Sequence, residues 1–439
     1  MVPQEHDLSA MIKRLSYLTG ATCLLLALVI SLSSCSRITM KRIDTTQDYR
    51  ALGYPDQRKI ARDSRGNLYV AYRKHFRANQ KNLYHIFVAK SNDQGASWQI
   101  LNLGQPIETT GDYMQRVPSI VVDTNDIIHV AWYGQDSRYN GENERQIKYT
   151  RSLDGGVSWQ PWQNVAPVDG YQGQALWQEH PSMVVNGDQV YIAWQGLDPN
   201  NEKASQVRVV RSDDRGATWR PAVVVHPEQR GNRSRPSIIV APDGQHLWLL
   251  AYGGSGTPQQ IVWSESFDRG ESWTTWQTIA PSPNDQRHLS AALDAQGQLH
   301  VVWREISQVD QAQIYYSRLN TDGWLPARAI RPNNRQQSFP SITIGTRGAV
   351  WVVWSETEQP IKLPEDDPQT GTIVIFKLQD DAWQEIQAPF EQSGANLYPS
   401  LRASDAFQPG AIDLVWLQRE DSPNDLPWNI FYSTIPTNW

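Results

Sequence analysis

Cysteine is almost absent from this chain, since its 439 residues contain only Cys23 and Cys35. Cys23 lies inside an apolar run near the N-terminus, so a chain that begins at Cys35 keeps one thiol and forms no intramolecular disulfide. The nine histidines are scattered, which excludes a zinc site of the Cys/His type. We therefore expect neither a metal nor a cofactor.

Signature motifs of several enzyme classes are missing as well. The chain has no G-x-S-x-G elbow, no H-E-x-x-H pair and no glycine-rich phosphate loop. A net charge of −6 does not suit a nucleic-acid partner. Beyond residue 35 no long segment shows the 3.6-residue periodicity of a helix. These absences favour an all-β globular protein that does not bind nucleic acid.

The N-terminus has the order of elements found in a bacterial lipoprotein leader. The basic pair Lys13 and Arg14 precedes an apolar run at 18–32, which is too short for a usual membrane span. The run ends in Leu-Ser-Ser-Cys at 32–35, which resembles the lipobox, where small residues admit the peptidase and the cysteine takes a lipid. An ordinary secretion signal that contains a cysteine is the alternative.

The lipobox resemblance implies a signal peptide at 1–34 and a lipid on Cys35 that anchors the protein to a membrane. Because Ser36 rather than Asp follows, it implies the outer membrane or cell surface of a bacterial envelope. The residues before Met11 are acidic and fit a signal poorly, so Met11 is an alternative start to Met1.

A short turn recurs four times with Ser, Asp, Gly, a hydroxyl residue and Trp in register. The Asp carboxylate can accept from backbone N–H groups that a tight hairpin leaves unpaired, and Gly supplies a positive φ. The Trp is expected to bury its ring between the third and fourth strands of its unit. The copies are KSNDQGASW (90–98), RSLDGGVSW (151–159), RSDDRGATW (211–219) and ESFDRGESW (265–273).

A second repeat lies between these turns and reads as a short apolar strand, a turn and an alternating strand that ends on an aromatic residue. Its prolines Pro118, Pro181 and Pro236 are 63 and 55 residues apart. A third strand follows each pair, and the Asp turn leads to a fourth. The copies are 117–132, 180–194, 235–252, 288–303, 339–354 and 398–416, with a weaker copy at 58–72.

Units of four antiparallel strands at this period predict a β-propeller, because no unit can bury both of its faces alone. We count seven blades, with six as the alternative if the weak first copy is not a full blade. The last unit lacks an outer strand, and the alternating stretch 37–45 is expected to pair there and close the ring. The predicted organisation is a lipidated N-terminus with the closing strand at 35–50, followed by a propeller at 51–439.

The turn pattern S-x-D-x-G-x-[ST]-W resembles the Asp-box, or BNR repeat, of the sialidase superfamily. In that family these turns lie on the propeller face opposite the active site. Identical residues at four symmetric positions serve a fold, whereas one active site needs asymmetry, so we interpret them as structural rather than as catalytic carboxylates or calcium ligands. They are Asp93, Asp154, Asp214 and Asp268, with Trp98, Trp159, Trp219 and Trp273.

The opposite face receives the loops that join each blade to the next. Residues just before each Pro-Ser pair would reach the mouth of the central channel, where guanidinium groups and aromatic rings suit a carboxylated sugar. Trp177 lies in one of these loops. The basic candidates are Arg116, His180, Arg235, Arg287 and His288, the aromatic ones Phe339 and Tyr398, and the carboxylates Asp112, Glu179 and Glu305.

The sialidase resemblance implies roles for several of these residues: three arginines on the substrate carboxylate, a tyrosine nucleophile with a glutamate base, and an aspartate acid/base. One arginine departs from the family pattern because it follows the first Asp-box. Arginines at strand ends can also serve only to satisfy carbonyls and acidic neighbours. The matching residues are, in order, Arg116, Arg235 and Arg287, then Tyr398, Glu179 or Glu305, and Asp112.

The sequence leaves two functions open. One is a lipid-anchored propeller that recognises, and as an enzyme would hydrolyse, an acidic glycan of the sialic acid type. The other is a non-catalytic scaffold that binds a protein partner on the same face. Arginines that converge on one point favour the glycan, whereas arginines that splay over a flat face favour the protein.

Overall fold

The computed structural model describes the chain from residue 40 onwards with several gaps. The predicted signal peptide, the alternative start at Met11 and the predicted lipid on Cys35 lie outside the described residues. The described ranges are 40–78, 81–170, 174–227, 231–254, 256, 258–307, 309–345, 347–358, 370–403, 411–420 and 427–437.

Seven antiparallel sheets make up this part of the chain, and each forms one blade. Alternating apolar residues give the first three strands of a blade two buried faces, while the fourth strand is short and half-exposed. Blades 1 and 2 comprise β2 (Ile60–Arg62), β3 (Leu68–Ala78), β4 (Lys81–Ser91) and β5 (Gln99–Ile100), then β6 (Gln115–Val122), β7 (Ile128–Gly134), β8 (Gln146–Ser152) and β9 (Gln163–Asn164).

Blades 3 to 5 repeat the same order, and blade 5 carries one extra short strand. They comprise β10 (Gln178–Asn186), β11 (Gln189–Asp198), β12 (Asn201–Ser212) and β13 (Val223–Val224); β14 (Asn232–Val240), β15 (Leu247–Gly254), β16 (Gln260–Ser266) and β17 (Gln277–Thr278); and β18 (Asp285–Leu293), β19 (Leu299–Ile306), β20 (Ala312–Asn320), β21 (Gly323–Trp324) and β22 (Arg328–Ala329).

Blades 6 and 7 complete a ring, in which each inner strand contacts the inner strands of both neighbouring blades. A 3₁₀ turn at Asn102–Gly104 is the one helical element of the described residues, and no described helix is long and apolar enough to cross a membrane. The last strands are β23 (Gln336–Ile344), β24 (Val350–Thr357), β25 (Thr372–Gln379) and β26 (Ala382–Ile386), then β27 (Ala395–Ala403), β28 (Ala411–Arg419) and β29 (Trp428–Pro436).

The strand that closes the ring comes from the start of the described chain. β1 (Lys41–Thr46) pairs antiparallel with β29 and supplies the outer strand of blade 7. The weak first copy forms a full blade as well. The prediction of seven blades with an N-terminal closing strand is therefore confirmed, and the six-blade alternative is wrong.

The repeated Pro-Ser pair fastens neighbouring blades at the channel axis. Ser182 Oγ accepts from the backbone N–H of Ile238 in the next blade at 3.3 Å, and Ser341 Oγ accepts from Leu401 N–H at 3.0 Å. Blade 1 has Lys59 at this position, and its Nζ donates to the Pro118 carbonyl of blade 2 at 2.6 Å. Ser290 makes the same bond to Ile342 N–H at 3.3 Å, so three of the repeated serines act as acceptors for a backbone N–H of the next blade.

The Asp-box turns form closed hydrogen-bond networks at one end of the channel, here called the Asp-box end. Asp93 Oδ1 accepts from Ser97 N–H at 2.9 Å and from Ser91 Oγ at 2.7 Å, while Ser91 Oγ accepts from Gly95 N–H at 2.8 Å. The Ser97 hydroxyl and N–H and the Ser91 hydroxyl lower the pKa of Asp93 to about 2. Asp154, Asp214 and Asp268 repeat the pattern.

Two of the Asp-box tryptophans make a ring contact with a neighbouring blade that the sequence does not predict. The Trp98 ring lies 5.3 Å from Tyr432 in blade 7, and the Trp219 ring lies 4.9 Å from Tyr149 in blade 2, both edge-on. Each of these two rings thus contacts the third strand of the preceding blade. The bend of the turn directs the ring to the seam, where it covers apolar surface that a single blade cannot bury.

Candidate functional site

A β-bulge recurs near the start of six inner strands, at the channel end opposite the Asp-boxes, which we call the mouth. Each bulge shifts the register between first and second strands and holds one residue at a φ between 46° and 56°. Bulges re-aim side chains, so six different residues occupy one equivalent position. They are Val117, His180, Arg235, His288, Phe339 and Tyr398.

Tyr54 fills the centre of the mouth. The Cζ atom of Arg235 lies 3.6 Å from the centroid of its ring. The rings of His180, His288 and Phe339 lie 5.4, 5.7 and 6.3 Å from it. Four blades therefore present their bulge residues to one tyrosine, whose hydroxyl makes no hydrogen bond within the described part of the chain. The predicted mouth residues His180, Arg235, His288 and Phe339 converge on this point.

Tyr398 lies behind Phe339 instead of facing the centre. Its ring is 4.3 Å from that of Phe339, and the residue is 2% exposed within the core shared by blades 7 and 1. Tyr54 belongs to the same core and is 8% exposed, so it lies only slightly nearer to the surface than Tyr398 does. Tyr133 is a third tyrosine here, with its ring 5.3 Å from His180.

The two mouth histidines are uncharged and lie among cations. Burial lowers the pKa of His180 well below its ordinary value, and the charges of Arg235, Lys59, Arg73 and Arg116 lower it further. Burial likewise lowers the pKa of His288, as do several arginines that include Arg235 and Arg287. Nδ1 of His180 and both ring nitrogens of His288 are buried without a hydrogen-bond partner among the described residues.

Arg116 is half-buried at the mouth and has unused donors. Within the described residues its guanidinium donates only to Met114 Sδ, at 3.0 and 3.1 Å, and lies 5.9 Å from the Tyr84 ring. Arg287 donates to Asp285 at 2.6 Å, and its Cζ lies 5.7 Å from the Tyr252 ring. The Cζ atom of Arg235 lies 5.9 Å from the centroid of the same ring. Arg235 and Arg287 therefore lie close together, and Arg116 keeps free capacity for an anion.

The predicted carboxylates are not gathered around one tyrosine. Glu179 accepts from Arg145 Nε at 2.5 Å and lies 3.8 Å from His180 Nε2. Burial raises the pKa of Tyr133 to about 12, and the charge of Glu179 contributes. Glu179 is thus a neighbour of Tyr133, and no described hydrogen bond links it to Tyr398.

Glu305 serves the frame of blade 5. Its carboxylate accepts from Ser282 Oγ at 2.7 Å, Asn284 Nδ2 at 2.9 Å, Gln286 Nε2 at 3.0 Å and Trp303 Nε1 at 3.3 Å. Because four donors of its own blade already bind this carboxylate, its role is to hold the loop before β18 in place.

Two other predicted residues stand apart from Tyr54. Asp112 is half-buried, and its Oδ1 is enclosed without a hydrogen-bond partner among the described residues. Trp177 is half-buried, and its backbone carbonyl accepts from Leu197 N–H at 3.1 Å. No described hydrogen bond or ring contact joins either side chain to the central tyrosine.

The sequence reasoning missed Tyr54, Asp56 and Lys59. They lie in the segment between β1 and β2. Because β1 is the outer strand of blade 7, this segment is the seventh loop that joins one blade to the next. Burial raises the pKa of Asp56 to about 6 against the opposing charges of Arg235 and Lys59, and burial lowers that of Lys59 to about 7. The predicted closing strand was the signal that could have placed this segment at the mouth.

Comparison with known proteins agrees with this architecture. A family model described as a BNR repeat-like domain matches residues 107–352. No curated protein matches the sequence. In the described part of the chain, no group of His, Cys, Asp and Glu side chains is arranged to hold a metal ion.

Solved structures share the fold at low identity. An ulvan lyase of a polysaccharide lyase family is 13% identical with a TM-score of 0.57, and the match covers 90% of this chain and 94% of the lyase chain. The α-L-arabinanase of Penicillium chrysogenum is 11% identical with a TM-score of 0.50, covering 91% and 99%. A Hadza microbial sialidase is 14% identical with a TM-score of 0.50, covering 81% and 74%.

Proposed function

The chain belongs to the BNR repeat-like domain family, and we propose that it is a glycan-processing propeller that binds an acidic glycan, of the sialic acid type, at the mouth. The observation that carries this proposal is the excess of cations around two uncharged histidines and Tyr54. The excess favours an anion, and the three buried imidazole nitrogens without described partners favour a ligand rich in hydroxyl groups.

The aromatic content of the mouth supports a sugar over a simple ion. Tyr54 presents a ring at the centre with Arg235 stacked on it, a pairing that places a flat apolar face beside a guanidinium fork. Sugars present the matching surfaces, a C–H face and a carboxylate. Three propellers of the same fold are named for action on glycans, an arabinanase, an ulvan lyase and a sialidase, which supports the substrate class.

Hydrolysis would need a nucleophile that reaches the sugar. We propose Tyr54 for this role, since its hydroxyl lies at the convergence of four blades and no described residue binds it. A tyrosine nucleophile avoids bringing a negative group to an anionic substrate. Tyr398 is 2% exposed against 8% for Tyr54, and it contacts Phe339 rather than the point where the bulge residues converge, so it would support the mouth by packing.

A binding experiment tests the proposal. The purified protein is titrated with sialylated and uronic-acid oligosaccharides, and each is compared with its methyl ester, which keeps the shape but lacks the charge. We expect the acid to bind and the ester to lose about tenfold in affinity or more, since a charge-assisted hydrogen bond is worth roughly 1.5–3 kcal/mol. Equal affinity for acid and ester would contradict the proposal, as would capture of a protein partner with no glycan bound.

Two matched variants locate the site. Arg116→Gln should weaken acid binding to the level of the ester, because it removes the guanidinium with unused donors. Arg328→Gln, on exposed β22 far from the mouth, should change nothing. For turnover, release of free sugar should disappear in Tyr54→Phe and persist in Tyr398→Phe; the reverse result would restore Tyr398 as nucleophile.

We also propose that Cys35 carries the lipid that the lipobox resemblance implies. Metabolic labelling with a fatty-acid analogue should mark the wild-type protein and leave Cys35→Ser unlabelled. A labelled Cys35→Ser protein, or an unlabelled wild type recovered as a secreted protein, would favour the ordinary secretion signal.

A further inference from the structure

Blade 1 carries a basic hairpin beside the mouth. Its strands β3 and β4 are 11 residues each and pair along their whole length. Because the Asp-box turn of this blade begins at Ser91, the last residue of β4, the other end of the hairpin projects on the mouth side. Residues 64–92 contain six lysines and arginines and no carboxylate, although the net charge of the chain is −6.

The corresponding hairpins of the other blades lack this excess of cations. In blade 4 the segment between the second and third strands has no charged residue, and in the other five blades a carboxylate lies in or beside this segment. A feature that occurs in one blade of seven does not serve the repeated frame, so the basic hairpin is a candidate for binding. The carboxylates are Glu142, Asp198, Asp310, Glu358 and Glu420.

One face of the hairpin is turned toward blade 2. Side chains alternate between the two faces along each strand, and residues opposite one another share a face. His75 lies opposite Tyr84, and Arg77 lies opposite Asn82, so these four side chains share one face. The Cζ atom of Arg116 in blade 2 lies 5.9 Å from the centroid of the Tyr84 ring. We call this the mouth-side face of the hairpin.

The opposite face of the hairpin is turned toward β1. Lys74 lies on this face, and its Nζ donates to Asp44 Oδ2 of β1 at 2.9 Å. Lys81 lies on the same face, because it is four residues from His85, which lies opposite Lys74. The hairpin therefore carries cations on both faces, and one of these faces adjoins the mouth.

The arginines around the mouth-side face differ in their partners. Arg73 is buried and donates to both oxygens of Asp48, so its charge is compensated. Arg77 is exposed and forms no ion pair within the described part of the chain. It is a diagonal neighbour of Tyr84 across the two strands, a separation that long side chains span. Arg77 and Arg116, neither with a described carboxylate partner, therefore adjoin the half-buried ring of Tyr84.

Arg116 connects this face to the centre of the mouth. Burial lowers the pKa of His180, and the charge of Arg116 is among those that lower it further. The His180 ring lies 5.3 Å from Tyr133 and 5.4 Å from Tyr54. Rings and guanidinium groups thus extend from the centre to the hairpin of blade 1. An acidic polysaccharide presents C–H faces and carboxylates in turn, so a chain of sugars matches this arrangement better than one sugar does.

We propose that the ligand of the mouth is an acidic polysaccharide chain, which extends from the mouth past Tyr84 to Arg77 on the hairpin of blade 1. This inference rests on the proposed glycan function and names its substrate class, a polymer rather than a single terminal sugar. One sugar would occupy the mouth, and the carboxylate of a later sugar in the chain would pair with Arg77.

The test measures calorimetric binding of the monomer and the tetramer of galacturonic acid and of sialic acid to the full chain. We expect the wild type to bind the tetramer about tenfold more tightly than the monomer, because a further charge-assisted pair forms. Arg77→Gln should lose this gain while its affinity for the monomer stays that of the wild type. The matched control Lys81→Gln removes the same charge from the opposite face and should keep the gain.

Four results would overturn the inference. Equal affinity for monomer and tetramer, with the acid still preferred to its methyl ester, would do so and leave the glycan proposal intact. Equal affinity for acid and ester at both lengths would contradict the glycan proposal, and this inference with it. Equal losses in Arg77→Gln and Lys81→Gln would mean that binding follows overall charge. A polyglutamate peptide that binds as tightly as the tetramer would favour an acidic protein partner instead.

Discussion

The two ends of the propeller use repetition in opposite ways. At the Asp-box end, four turns repeat both their residues and their hydrogen bonds. At the mouth, six bulges repeat their backbone conformation, but the residue at the bulge differs in almost every blade. A repeated side chain marks a local need of the backbone, whereas a repeated conformation with varied side chains marks a place where seven blades can build one asymmetric site.

The largest expected effect concerns the glycine of an Asp-box. Gly95 has a φ of 89°, and a Cβ there would overlap the buried ring of Tyr432. Gly95→Ala should therefore lower the free energy of unfolding by roughly 3 kcal/mol, measured in urea. The control is Gly104→Ala. Gly104 has a φ of 78° but open space around it, so the free energy of unfolding should fall by only about 1 kcal/mol. Equal losses would mean that the Asp-box end is not held by close packing.

A mouth histidine should instead control how stability depends on pH. Because His288 is uncharged when folded and gains a proton near pH 6.5 when unfolded, stability falls as the pH drops below 6.5, by about 1.4 kcal/mol per pH unit. His288→Phe should reduce this slope in urea unfolding at pH 7, 6 and 5. Phe339→Leu, in the same stack, should keep it. An unchanged slope in His288→Phe would show that this ring is not buried uncharged.

The smallest effect is expected from one Asp-box carboxylate. Asp93→Ala should cost about 1 kcal/mol at neutral pH, since it removes local hydrogen bonds to Ser97. The pKa of Asp93 is held at about 2 by Ser97 and Ser91, so its contribution is present above pH 4 and is lost as the pH falls through 2. The difference in the free energy of unfolding between Asp93→Ala and the wild type should shrink as the pH falls from 4 to 2.

The control for that carboxylate is Asp322, in the hairpin turn between β20 and β21 of blade 5. Its own backbone N–H is accepted by Asn320, and its side chain is exposed. Asp322→Ala should change the free energy of unfolding by less than about 0.5 kcal/mol. A cost equal to that of Asp93→Ala would mean that the repeated Asp is not specific to the turn.

The frame could be predicted from the sequence because its signals are local and recur. The Asp-box pattern and the Pro-Ser period specify the blades, and the missing outer strand of the last blade predicts the pairing of β1 with β29. Each of these depends on residues within a few positions of one another. The Trp98 contact with Tyr432 was missed because it joins residues from opposite ends of the chain.

The site could be predicted only in part. Residues before each Pro-Ser pair do reach the mouth, as His180 and Arg235 do. Tyr54 was missed because its blade lacks the Pro-Ser pair, so no repeat marks it. Glu305 looked available because sequence does not show that four donors of its own blade surround it. Whether a side chain is already hydrogen-bonded within its own blade depends on contacts in three dimensions, and the periodicity of the sequence does not encode these contacts.

The pairing of β1 with β29 has a consequence for the design of this chain. The first and last strands are hydrogen-bonded neighbours, with Lys41 opposite Tyr432, only a few residues from the end of β29 at Pro436. A short peptide could therefore link the start of β1 to the end of β29, and new ends could be opened in another blade. The ring would keep its blades in the same spatial order, so a circular permutant could begin at any of them.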